Sequence, residues 1–384
     1  MLFDFETSAD RSGIGNMKGA FSQQPGTIVL AGAEMDCRTA PVIRSALAQF
    51  AERGLYGFTL PDGQYREKIV SWMEHIRGYA CEPEEIVPAL GTIFGLCTAI
   101  RAFTEPGDGV IIQHPSYYRY DVAVNKNGRR VISNPLIEES NAYQLDLDGL
   151  EEQMRDSRNK LMVLCNPHNP TGRVFPESDL KKLAALTEKY GTIIFSDEIF
   201  AEVTYGGHTV VPYVKVDPQH GITSTSLGKV FNLTGVNHAN LLIRDADLRE
   251  RYLQQRHTDH FGSIDPFFYT ALTAGYSQEG WNWIQQMRDH VWENYQIIRQ
   301  TLEHRMPEIA VSPLEGTYAV WMDFRKLGLS DQALQDFLTR KAHVLCDPGD
   351  EYGPGGAGFC RFNIATPRKN ILEFMDNLTA ACTA

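Results

Sequence analysis

Lys229 stands in TSTSLGKVFNLTG, residues 223–235, between hydroxyl-rich and small-residue turns. A primary amine can form an imine with an aldehyde or serve as a general base, provided its pKa falls below the usual ~10.4. Taken alone, a lysine in such a loop is a solvated cation. Two earlier segments change its context. CNPHNPTG (165–172) leaves an apolar run and enters a turn where two prolines fix φ and Gly172 permits unusual backbone angles. That turn is either a structural corner or a rigid platform presenting Asn169 to a ligand beyond the carboxyl end of a strand. FSDEIF (195–200) puts Asp197 and Glu198 at the end of the next apolar run. A carboxylate there is solvated, caps a helix, or meets a cation or strong donor.

The elements that must hold these groups are short, continuous apolar runs: GVIIQH (109–114), KLMVLCN (160–166), TIIFSD (192–197) and ANLLIR (239–244). Continuous rather than alternating hydrophobicity predicts strands buried on both faces, as in a largely parallel sheet covered by helices. Amphipathic stretches fill the gaps, among them ESDLKKLAALTEKY (177–190), with acids in its first turn and lysines later. Beyond about residue 280 the pattern becomes one long helix, then GTYAVWMDF and CRFNIAT as strands, then a closing helix. This predicts an α/β chain with a second, smaller α+β domain. GPGGAG (353–358) fits the spacing of a dinucleotide fingerprint but leads into a strand rather than a helix, so it reads as a loop allowing close backbone approach.

The 384 residues are 43% hydrophobic with a net charge of -12, which argues against nucleic acid or an anionic membrane as partner and leaves a small molecule. No secretory leader pattern and no run of ~18 apolar residues is present. The expectation is a soluble, cytoplasmic protein. Its seven scattered cysteines show no ligand spacing, and read as reduced thiols without a metal site.

In this order the motifs resemble the fold-type I, pyridoxal 5′-phosphate (PLP) dependent aminotransferase class I/II superfamily. The resemblance runs through YGFTLPDGQYREKIVSWM (56–73), GTIFGL (91–96), QHPSYY (113–118), NPHNPTG, SDEIF, SLGKVFN, EGTYAVW (315–321) and GFCRFNIATPR (358–368). FDFETSADRSGIGNMKG (3–19) and GAEMDC (32–37) are similar to the opening of the cystathionine β-lyase type C-S lyases. The resemblance implies a large PLP-binding domain over 46–282, a small C-terminal domain over 283–384, and an arm with part of the small domain over 1–45.

It also implies roles, residue by residue. Lys229 matches the lysine that carries PLP as a Schiff base and later acts as base at Cα, with a lowered pKa. Asp197 matches the carboxylate opposite the pyridine nitrogen, Asn169 the donor to the phenolic oxygen, and Tyr117 the ring stacked on the pyridine. Gly91, Thr92 and Ile93, opening a helix, match the phosphate cradle with Ser226. Arg361 matches the fork that grips the α-carboxylate, while Arg368 is assigned to structure. Tyr56 matches a tyrosine reaching the phosphate from a neighbouring subunit, implying a homodimer with shared active sites.

Three positions depart from the pattern: Phe200 stands where a hydroxyl or imidazole donor is usual, Gly228 replaces a serine, and MKGA replaces K-W-D. The implied activity is β-elimination from an S-substituted L-cysteine, giving thiol, pyruvate and ammonia. Transamination is the alternative, and a decarboxylating or oxidatively deaminating enzyme acting on a cysteine conjugate a further one. A non-catalytic regulatory protein would keep the fold without the retained Lys229, Asp197 and Arg361.

Overall fold

The computed structural model describes residues 3–21 and 26–383. In chain order its strands are β1 (Ile28–Val29), β2 (Ile86–Ala89), β3 (Gly109–His114), β4 (Arg130–Pro135), the hairpin β5 (Ile137–Glu139) and β6 (Ala142–Gln144), β7 (Asn159–Cys165) and β8 (Ile193–Asp197). There follow β9 (Gly221–Thr225), β10 (Ala239–Ile243), β11 (Ala310–Val311), β12 (Ala319–Asp323), β13 (Val344–Leu345), β14 (Asp347–Pro348) and β15 (Phe359–Asn363). Seven strands form the main sheet in the order β2-β10-β9-β8-β7-β3-β4.

The four predicted apolar runs are all strands of this sheet, and β3, β8, β9 and β10 are buried along their whole length. The sheet is largely parallel as expected: β4, β3, β7, β8 and β9 pair in parallel, and β10 runs against its two neighbours, β9 and β2. Continuous hydrophobicity reports burial on two faces and carries no information on direction.

The sequence reading also passed over β9, whose GITST is too polar for a core strand. It lies in the sheet because its hydroxyls are satisfied. Thr223 donates to Glu198 at 3.1 Å, Thr225 to the Asn240 carbonyl at 3.3 Å, and Ser224 is bonded to Thr92 at 3.1 Å.

The helix Glu177–Tyr190 spans the predicted stretch, with Glu177 and Asp179 in its first turn, Lys189 in its last, and Gly191 closing it at φ 71°. The long helix Gln278–Arg305 leads into a second, antiparallel sheet, β11-β12-β15-β14. β1 pairs in parallel with β13, so the N-terminal arm is stitched to the C-terminal part of the chain. The glycine-rich loop works by close approach: a Cβ on Gly353, at φ 80°, would lie 2.8 Å from the His114 ring.

Strand ends set the site. The carboxyl ends of β2, β3, β7, β8 and β9 lead directly into Gly91, Pro115, Asn166, Glu198 and Ser226, so five motifs emerge along one edge of the sheet. At β8 the two neighbouring acids part company. Glu198, 1% exposed, accepts from Arg77, Ser196, Tyr213 N–H and Thr223. Arg77 also pairs with Glu202 at 3.6 Å. Glu198 is therefore a structural knot tying β8 to β9 and to the chain before β2. Arg77→Met leaves Glu198 and Glu202 buried without their cation and should cost about 3–5 kcal/mol. The measurement is thermal and denaturant unfolding, and a midpoint equal to the parent's would disprove the knot.

Candidate active site

A cavity of about 770 Å³ opens at this edge and is lined by Lys229, Asp197, Asn169, Tyr117, Phe200 and Arg361, together with segments of the N-terminal arm. The main sheet supplies the first five, and β15 brings Arg361 from the second sheet. Lys229 does not sit in an open loop. It belongs to the short helix Leu227–Val230, capped by Ser226, whose Oγ accepts from Gly228 N–H at 3.0 Å. Burial, and next the Arg361 guanidinium, lower its pKa to about 8, against the opposing pull of Asp197. Its Nζ donates to the Ala33 carbonyl at 2.9 Å, an acceptor shared with the Tyr318 hydroxyl at 3.0 Å.

Asp197 is 4% exposed. The sequence reading expected a cation or strong donor opposite it, and the donor is the Tyr120 phenol, 2.6 Å from Oδ2. Oδ1 accepts a longer bond from Ile199 N–H at 3.3 Å. Burial pushes the carboxyl pKa up, while Tyr120, Ile199 N–H and Lys229 hold it down, in that order.

Arg361 is not a bare fork. Its Nη2 and Nε donate to Asp347 Oδ2 at 2.6 and 3.0 Å, and Nη1 donates to Asn169 Oδ1 at 2.9 Å. The register explains the first pair, since Asp347 lies directly opposite Arg361 across β14 and β15. Asp347 also accepts from Gly32 N–H at 3.0 Å, which fastens the arm over the site. With its carbonyl engaged by Arg361, Asn169 has its NH₂ group left to offer.

Tyr117 lines the cavity and meets Tyr120 edge-on, with centroids 5.6 Å apart at 89°. Phe200 lines it without a donor and packs edge-on against Tyr318.

The remaining expected residues stand outside the cavity lining. Gly91, at φ 90°, precedes the helix Thr92–Phe103, whose N-terminus no side chain caps. Such an end offers backbone N–H groups and a positive dipole to an anion. Ser226 donates its proton to the His238 carbonyl at 2.8 Å, so a phosphate contact requires that proton to turn. Tyr56 is 55% exposed and donates to Ala51 O at 2.7 Å. Arg368 pairs with Glu293 and Glu6 away from the site, as its structural reading implied.

Sequence reasoning missed Tyr120 and Asp347, and it quoted Tyr318 in EGTYAVW and residues 32–34 in GAEMDC without giving them a part in the site. A signal existed only for Tyr120, three residues after Tyr117 at the start of the helix Arg119–Lys126.

The family model for aminotransferase class I and II matches residues 23–378. The chain belongs to that family. It is 33% identical over 352 residues to cystathionine beta-lyase PatB of Bacillus subtilis, with 91% of each chain covered. It is 29% identical to Protein MalY of Escherichia coli over the whole length of both. Among solved structures it superposes on cystalysin from Treponema denticola, which contains a PLP cofactor, with a TM-score of 0.96 at 30% identity, covering 100% and 99% of the two chains. The α/β, fold-type I architecture and the resemblance to the C-S lyases read from the motifs are thereby borne out. Among the described residues no helix is long and apolar enough to cross a membrane.

Since the neutral amine is the reactive form, modification of Lys229 by trace acetic anhydride, followed by peptide mass spectrometry, should rise with a midpoint near pH 8. In Arg361→Leu the midpoint should move upward, because a neighbouring positive charge is lost. Midpoints near about 10.4 in both proteins would show that the lysine is solvated.

Proposed function

We propose that this cavity binds PLP and that the chain cleaves the C-S bond of an S-substituted L-cysteine, yielding thiol, pyruvate and ammonia. The observation that carries the reading is Lys229, its pKa lowered to about 8, in one cavity with Asp197, Asn169 and Arg361. The donor set fits the cofactor: an amine for its aldehyde, a buried carboxylate for its ring nitrogen, an amide NH₂ for its phenolic oxygen, and an uncapped helix N-terminus for its phosphate. Bound there, PLP supplies an aldehyde that condenses with amines and a ring that accepts the electron pair left at Cα.

The chain's own groups do the rest. Asp197 keeps a proton at the ring nitrogen, and the Tyr117 ring packs on the pyridine face. Residues 91–93 and Ser226 hold the phosphate, with Tyr56 of a second copy as a further donor. Arg361 grips the substrate carboxylate through the Nη N–H groups that Asp347 and Asn169 leave free, and this fixes which bond at Cα faces Lys229. The neutral amine of Lys229 removes the Cα proton, and thiolate departs from Cβ. The three-carbon enamine released from the site hydrolyses to pyruvate and ammonia.

The choice of C-S bond is supported by the similarity to cystathionine beta-lyase PatB. Transamination would use the same Lys229, and membership of aminotransferase class I and II makes it the second reading.

Purified protein with PLP and L-cystathionine or S-alkyl-L-cysteines, without any keto acid, should release pyruvate, ammonia and thiol. Lys229→Ala should lower this by about 10³-fold or more. Turnover that begins only when a keto acid is added would transfer the assignment to transamination, and unchanged turnover in Lys229→Ala would refute both.

A second observation supports the reading of a shared dimer site. Leu55, Tyr56, Phe58 and Leu60 are 77%, 55%, 98% and 67% exposed, and Phe267 beside Tyr56 is 38% exposed. Four exposed apolar side chains within residues 55–60, with Phe267 stacked on Tyr56, find their natural cover in a second copy. Phe58→Glu should shift the light-scattering mass from dimer to monomer and weaken PLP binding. A parent protein that is monomeric at micromolar concentration would rule the shared site out.

A further inference from the structure

We propose that Tyr120 is a positioning residue for the cofactor's ring nitrogen, acting through Asp197. The inference rests on the reading that PLP binds with Asp197 at that nitrogen, and concerns a residue with no part in the motifs that led to it. Tyr120 is 2% exposed and lies in the apolar cluster on the main sheet with Ala99, Phe103, Val163 and Phe195. A phenol in such surroundings needs a partner, and its partner is Asp197 Oδ2 at 2.6 Å.

Among the described residues no other side chain donates to Asp197. The nearby Cys165 thiol is turned to the Pro167 carbonyl at 3.3 Å, and Lys229 Nζ donates to Ala33. Burial also keeps the Tyr120 phenol protonated, with its pKa far above the usual range, so it remains a donor wherever the enzyme works.

The geometry divides the carboxylate. Oδ2 is held by a short, charge-assisted bond, while Oδ1 has only the longer Ile199 N–H contact. A carboxylate free to rotate would present either oxygen. One pinned by Tyr120 presents the same oxygen each time, and the same bond opposes the upward push of burial on its pKa. The helix Arg119–Lys126 that begins at this point therefore serves both faces of the problem. Tyr117, just before it, and Tyr120, on its first turn, both line the cavity, and Tyr120 holds the acid from that side.

Tyr120→Phe removes one oxygen and keeps the ring. The test compares dissociation constants of the apoprotein for PLP and for 1-deaza-PLP, in which the ring nitrogen is replaced by CH, in the parent, Tyr120→Phe, Asp197→Ala and the double variant. Tyr120→Phe should weaken PLP roughly tenfold, the scale of one hydrogen bond to a charged group, and leave the deaza analogue within about twofold. It should add nothing further in the Asp197→Ala background.

Unchanged PLP affinity in Tyr120→Phe, or equal losses for both cofactors, would reduce Tyr120 to a packing residue while leaving the Asp197 assignment intact. If instead Asp197→Ala does not discriminate between the two cofactors, the reading of Asp197 itself fails, and this inference with it. The ratio of the two affinities within one protein is internal to each variant, so general destabilisation cannot imitate the expected result.

Discussion

A carboxylate buried at the end of a β-strand is stable only where donors replace the water it has lost, and much of this molecule is arranged around that constraint at Asp197. The main sheet brings five strand ends to one edge, and the groups that satisfy Asp197, the Tyr120 phenol and the Ile199 N–H, come from the β3 and β8 sides of that edge. Compensation is partial by design of the geometry. One oxygen is fully engaged and the other loosely, which is the condition of a group kept for a ligand.

Glu198 shows what full compensation looks like. It is one residue along the chain, equally buried, and bonded to a cation, two hydroxyls and a backbone N–H. Nothing is left for a ligand to take. Two adjacent carboxylates thus reach opposite ends, one as a clasp between elements and one as a reagent, because successive strand-end side chains meet different surroundings.

The same logic governs the cations. Lys229 lies where burial and Arg361 both disfavour its charge, so its amine becomes largely available from about pH 8 rather than only above the usual lysine range. Arg361 keeps its charge because Asp347 faces it across the strand pair and Asn169 accepts from its other edge. Asp347 in turn holds Gly32. A chain of hydrogen bonds therefore runs from the arm through the guanidinium to the asparagine platform, joining the two sheets at the cavity.

Much of this was legible in the sequence. Apolar runs and amphipathic periods marked the strands from 109 to 243 and the helix Glu177–Tyr190, because burial and helical pitch leave local patterns. The types and order of Asn169, Asp197, Lys229 and Arg361 pointed to imine chemistry before any coordinate was known. The direction of β10, the polar strand β9, and the partners of Asp197 and Arg361 were decided only by the tertiary structure. Tyr120 and Asp197 are 77 residues apart, and no local pattern links a phenol on a helix to an acid at the end of a distant strand. Sequence alone determined which reactive groups the chain carries, while packing determined which of them remain uncompensated, since that depends on neighbours brought together across the fold.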